Sequence, residues 1–151
     1  MIKLHSFSIG VAAATLLFSG FAHAESFTFT TNWEPAEVKA ATVGARTITL
    51  SSVKGNVVLK WASGTESRGA VECNSWSGEP GATFETIGIC NATYEDGGKL
   101  ELHYGCTFTN EAKTESNCWS VNSGTGGKVN GPGTTSWNSK GNKAAGGGQV
   151  Q

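Results

Sequence analysis

Ser26-Phe27-Thr28-Phe29-Thr30-Thr31-Asn32-Trp33 alternates without a break, with Phe27, Phe29, Thr31 and Trp33 on one side and Ser26, Thr28, Thr30 and Asn32 on the other. A period of two over eight residues, rich in aromatic and threonine side chains, predicts a β-strand with one face buried. Glu34-Pro35 ends it, because proline has no N–H to give to a ladder.

Similar runs continue down the chain at 37–43, 46–52, 56–63, 67–75, 83–92, 99–109, 117–122 and 133–138. The pair 46–52 and 56–63 is joined by Val53-Lys54-Gly55-Asn56, which reads as a hairpin link. The breaks between runs hold Gly, Asn, Asp, Ser and Pro, the turn formers. Helical character is confined to residues 34–41, where Pro35 suits a first turn and one short turn of helix is expected. Many short strands with glycine-rich turns predict an all-β fold, a sandwich or a barrel. The stretch 139–151 (SKGNKAAGGGQVQ) is poor in apolar side chains and is expected to be a flexible tail.

Upstream of the first strand, Met1-Ile2-Lys3 is followed by an uncharged apolar run over 7–21 and by Ala22-His23-Ala24. A basic start, a short apolar stretch and a small-x-small exit predict a cleavable signal peptide over residues 1–24. The run is shorter than the ~20 residues that span a bilayer. No cysteine follows the cleavage point, which disfavours a lipid anchor. Cleavage leaves 127 of the 151 residues, a length suited to one domain over 25–138 plus the tail. Of eleven basic and twelve acidic residues only Lys3 lies in the leader, so ten face twelve and the net charge is near −2. With no basic stripe and no basic amphipathic helix, neither nucleic acid nor a membrane surface is an expected partner.

Four cysteines, Cys73, Cys90, Cys106 and Cys118, all follow the leader, and an even count in an exported small domain predicts two disulfides. Zinc needs closer ligand pairs such as C-x-x-C, so no metal is expected. The turn Glu79-Pro80-Gly81-Ala82 lies halfway between Cys73 and Cys90, with Pro and Gly where a type II turn wants them. Ala112, in a polar stretch, lies halfway between Cys106 and Cys118. Folding the chain at both points pairs Cys73 with Cys90 and Cys106 with Cys118.

Two segments carry a family resemblance. Gly88-Ile89-Cys90-Asn91-Ala92-Thr93-Tyr94-Glu95-Asp96-Gly97-Gly98-Lys99-Leu100 resembles the G-x-C … D-G-D-x-L stretch of small exported bacterial proteins with an allene oxide cyclase-like barrel. Gly124-Thr125-Gly126 … Gly133 … Trp137 resembles their G-T-G-K-(aromatic)-x-G-x-x-G-x-G-x-W motif, which dirigent proteins echo. Gly98 stands at the second acid of the first pattern, and Lys128, Asn130 and Thr135 replace an aromatic and two glycines in the second. The resemblance implies an antiparallel barrel of about eight strands with an interior cavity, and it carries over no catalytic residue.

After the leader the only histidine is His103, and the only aspartate of the chain is Asp96, which sits in a turn. With no G-x-S-x-G elbow, serine hydrolysis is disfavoured; the cysteines serve better as crosslinks than as nucleophiles, and no cofactor is implied. In the run 99–106, Leu100, Leu102, Tyr104 and Cys106 share one face and Lys99, Glu101 and His103 the other. Were the second face inside a barrel, Glu101 and His103 would form an acid–base pair; the ordinary arrangement sets them in solvent.

Five tryptophans are many for this length. Trp33 and Trp61 continue apolar faces and read as core, while Trp76 and Trp119, near cysteines, are expected to cover the disulfides. The candidate ligand contacts are Trp61, Trp119 and Tyr104. Three functions follow in order: a module binding a small hydrophobic or aromatic molecule, a packed structural or protein-interaction domain such as an inhibitor or surface component, and a cyclase- or isomerase-like enzyme using Glu101 and His103.

Overall fold

A computed structural model describes residues 24–78 and 81–151. The signal peptide expected over 1–24 lies, but for Ala24, outside the described residues, as do Glu79 and Pro80 of the expected turn. Among the described residues nine strands run in chain order: β1 (Glu25–Trp33), β2 (Glu37–Val43), β3 (Arg46–Trp61), β4 (Glu66–Ser77), β5 (Thr86–Tyr94), β6 (Lys99–Phe108), β7 (Glu115–Thr125), β8 (Gly131–Lys140) and β9 (Lys143–Val150). From β3 to β9 each strand pairs antiparallel with the next, and β1 closes the ring between β9 and β3. The result is an eight-stranded antiparallel barrel, with β2 lying outside the ring on the long β3.

Residues 34–41 form no helix. β1 and β2 both run along β3, with Trp33 opposite Gly55 and Glu37 opposite Ser52. Three residues on one side therefore face two on the other, a β-bulge centred on Pro35. The expected hairpin at 53–56 is absent as well: β3 continues through it, because Gly55 serves as a bed and not as a turn. The Trp33 ring lies on it, and a Cβ there would meet ring carbon Cε3 at 2.8 Å.

That device recurs. Gly88 lies opposite Tyr104 and Gly146 opposite Trp137, each beneath its partner's side chain. It also overturns the flexible tail expected over 139–151: residues 143–150 are β9, hydrogen-bonded on both edges. Glycine, judged unable to bury surface of its own, buries the rings of its neighbours.

Side chains of alternating parity fill the interior. Phe27, Leu59, Trp61, Tyr94, Leu100 and Val150 pack toward the end of the barrel where β1 begins. A loop over 126–130 folds across that end and inserts Val129, which is 1% exposed. Asp96 holds the loop: one carboxylate oxygen accepts from Gly98 N–H (2.9 Å), the other from Lys128 N–H (3.2 Å). Lys128 in turn reaches over the Trp61 ring and donates to Thr65 Oγ1.

Both disulfides form as expected, Cys73–Cys90 and Cys106–Cys118, with Cα–Cα distances of 4.0 and 4.1 Å. Each joins residues directly opposite one another on neighbouring strands. Such close pairs are characteristic of the non-hydrogen-bonded sites of an antiparallel ladder. They are consistent with an oxidising compartment. Among the described residues no helix is long and apolar enough to cross a membrane.

Candidate functional site

The end of the barrel opposite the Val129 plug is open. Inward positions there carry short side chains, and β3 and β4 run on beyond the ring, so the mouth widens into a cup of about 700 Å³. Trp33, Tyr104 and Trp137 border its floor. Tyr104 and Trp137 lie with ring centroids 5.6 Å apart, and Phe29 meets Trp137 from below at 6.3 Å. Trp33 and Trp137 also line a void of about 50 Å³ beneath, room for a solvent molecule or two, so the rings divide the open cup from the packed half.

The walls are hydroxyl-rich, including Thr49, Ser51, Ser75, Ser116 and Ser139, and Cys106–Cys118 forms part of them. Tyr104 is a partly buried phenol whose pKa is pushed up by that burial, opposed in part by a hydrogen bond with Ser75. Charge is confined to the rim, where Glu85 accepts from Phe108 N–H at 2.8 Å and faces Lys113 Nζ at 3.9 Å. The cup therefore offers ring faces and adaptable hydroxyls, with Glu34, Glu85 and Lys113 as the charged residues of its lining. Among the described residues no cluster of three His, Cys, Asp or Glu side chains could hold a metal ion.

The candidates read from sequence are scattered. Tyr104 lies in the cup. Trp61 is 3% exposed and belongs to the closed end, where its Nε1–H donates to Ser67 Oγ at 2.9 Å. Trp119 is on the outer surface. Glu101 and His103 also face outward, hydrogen-bonded to each other at 2.7 Å with about half of each side chain exposed. The interior position that acid–base chemistry required is not theirs. Trp76 and Trp119 do not cover the disulfides: they project from the opposite face of the sheet, 38% and 47% exposed. Each lies an odd number of positions from its cysteine, Trp76 three beyond Cys73 and Trp119 one beyond Cys118, and parity puts them outside.

The floor residues Trp33 and Trp137 were not singled out as ligand contacts, and neither were the hydroxyl walls. Extending the inward parity of Trp33 and Tyr104 to facing strands would have gathered them, once strand order was known. Outside, register aligns Leu50, Trp76, Ile87, Gly105 and Trp119 across five strands, with the Phe84 ring over Gly105. No protein-family model matches this chain, and no curated protein or solved structure shows significant similarity to it.

Proposed function

We propose that this chain is an exported barrel that holds a small molecule with a hydrophobic or aromatic face in its open mouth. The observation that carries this reading is the cup itself, about 700 Å³ floored by three aromatic rings. That size falls among ordinary ligand pockets, and ring faces recover apolar area from a ligand that water would otherwise cover. Export is supported by the leader pattern of residues 1–24 and by the two disulfides. Membership of the allene oxide cyclase-like barrels is supported by the contact between the two resembling segments, Asp96 of one accepting from Lys128 N–H of the other.

Titration with a panel of uncharged aromatic and aliphatic compounds, read by tryptophan fluorescence, tests the binding. A saturable change is expected in the parent protein, and Ser51→Phe, which sets a further ring into the cup, is expected to weaken it. Failure of every member of the panel would remove the reading. The outer row of Leu50, Trp76 and Trp119 favours a second reading, a protein-interaction domain, because large apolar side chains in register on a sheet surface suit a partner.

A further inference from the structure

Closing a sheet into a barrel removes its edges, yet β2 lies outside the ring and pairs with β3 alone. The direction of its unpaired groups follows from strand geometry. Inward-facing Trp33 donates its N–H to Asn142 O at 2.8 Å, toward β9, while Glu34 N–H goes to Lys54 O on β3 at 2.8 Å. Along one strand, the side-chain face and the N–H direction alternate together. β2 continues the course of β1, and its Val38 and Ala40 lie opposite Ser51 and Thr49, which line the cup. Their N–H and C=O groups, and those of Thr42, therefore point the way Trp33's do, away from β3 to the free edge.

We propose that β2 is a homodimer edge, its Glu37–Lys39 segment pairing antiparallel with Glu37–Lys39 of a second copy about a two-fold axis through Val38. The sequence of the edge selects this occupant and this register. Val38 would meet Val38 of the second copy in a hydrogen-bonded pair, and it is 62% exposed in the single chain. Glu37 would lie opposite Lys39 of the second copy, and Lys39 opposite its Glu37, on the outer face. The ion pairs among the described residues use neither side chain. Centring the axis on Lys39 would oppose like charges, and centring it on Ala40 would oppose each charge to an apolar residue. A mid-strand lysine ordinarily repels stray strands; here Glu37 two residues away makes the edge complementary to itself. The result is one sheet, β4-β3-β2, continued through its two-fold mate. A contact this small forms a weak, concentration-dependent dimer.

Sedimentation velocity on the purified protein tests this. The weight-average mass is expected to rise from monomer toward dimer between roughly 10 µM and 1 mM, the range of a small interface. Glu37→Lys and Lys39→Glu each set like charges opposite one another twice per dimer and should weaken association by about tenfold. The combined E37K/K39E variant restores both pairs and should recover the parent behaviour. Val38→Pro removes the central N–H and should leave a monomer. All these positions are solvent-exposed, and near-ultraviolet circular dichroism confirms that each variant is folded. A parent that stays monomeric to 1 mM, a dimer insensitive to either single reversal, or a double reversal that fails to recover would each overturn the proposal.

Discussion

The two ends of this barrel are built from the same strands and end in opposite states. At one end, inward positions hold Phe27, Leu59, Trp61, Leu100 and Val150, and a loop adds Val129 as a stopper. At the other, positions of the same parity hold Ser51, Ser75, Ser116 and Ser139, and an open cup remains. Side-chain volume along each strand, and not strand number, decides where the interior is core and where it is cavity. Three aromatic rings seated beside glycines draw the boundary. The closed end is therefore expected to carry stability and the mouth to carry recognition.

The largest effect that would break this contrast is a cavity in the closed end. Trp61→Ala removes a side chain that packs against Phe27 at 5.2 Å and bonds Ser67, and should cost about 3–5 kcal/mol. Ser51→Ala in the cup removes a hydroxyl from a solvated wall and should stay within about 0.5 kcal/mol. Urea denaturation of both variants measures the difference. Equal losses would mean that the cup is as much a part of the packed core as the closed end.

The disulfides sharpen the contrast, since their local geometry is the same. They close loops of 17 and 12 residues, so by the chain-entropy treatment each contributes about 3 kcal/mol. Access differs. Both cysteines of Cys106–Cys118 border the cup, whereas Cys90 lines the void beneath the floor. Under a limiting phosphine reductant, Cys106–Cys118 should open first. Mass spectrometry of alkylated peptides reads the order, and prior loss of Cys73–Cys90 would show that the floor does not seal.

The only two tyrosines also divide between the ends, and burial raises both pKa values above the ordinary 10.0, Tyr94 more than Tyr104. At Tyr94 the carboxylate of Asp96 adds to the rise. A phenol whose folded pKa is raised favours the folded state below its unfolded value. That contribution should start to fall as the pH passes about 10 and be lost through the folded values. Absorbance at the phenolate band should show little ionisation at pH 10, with Tyr104 titrating before Tyr94 when Tyr94→Phe and Tyr104→Phe are compared. A normal phenolate titration in the folded protein would place a ring in solvent.

Much of this was legible in the sequence wherever period two held. The parity of β1 and β6 placed Phe27, Trp33, Leu100 and Tyr104 inside, and equal spacing about two turns gave the disulfides. The glycine misreadings share one cause: a residue was judged by its neighbours along the chain and not by the one across the ladder. Gly55 looked like a turn because the ring of Trp33 that covers it lies 22 residues upstream. The glycines of β9 looked unfoldable because the side chains they accommodate belong to β1 and β8. Of the cup only Tyr104 and the expectation of a cavity were legible, since its residues come from strands far apart in sequence and meet only when the ring closes.

The smallest expected effect concerns the outer face, where Glu101 and His103 form the chain's most chemical-looking pair. Their 2.7 Å contact lies in solvent, where such pairs contribute about 0–1 kcal/mol. Glu101→Gln should therefore change stability by less than that and leave ligand titration of the cup untouched. The inside–outside alternation of β6 is what makes the pair inert toward the cup: Tyr104, one residue beyond His103, points the other way. A measurable loss of cup binding in Glu101→Gln would mean that the outer face of β6 and the cup are coupled through the sheet, and the contrast between ends would have to give way to one between faces.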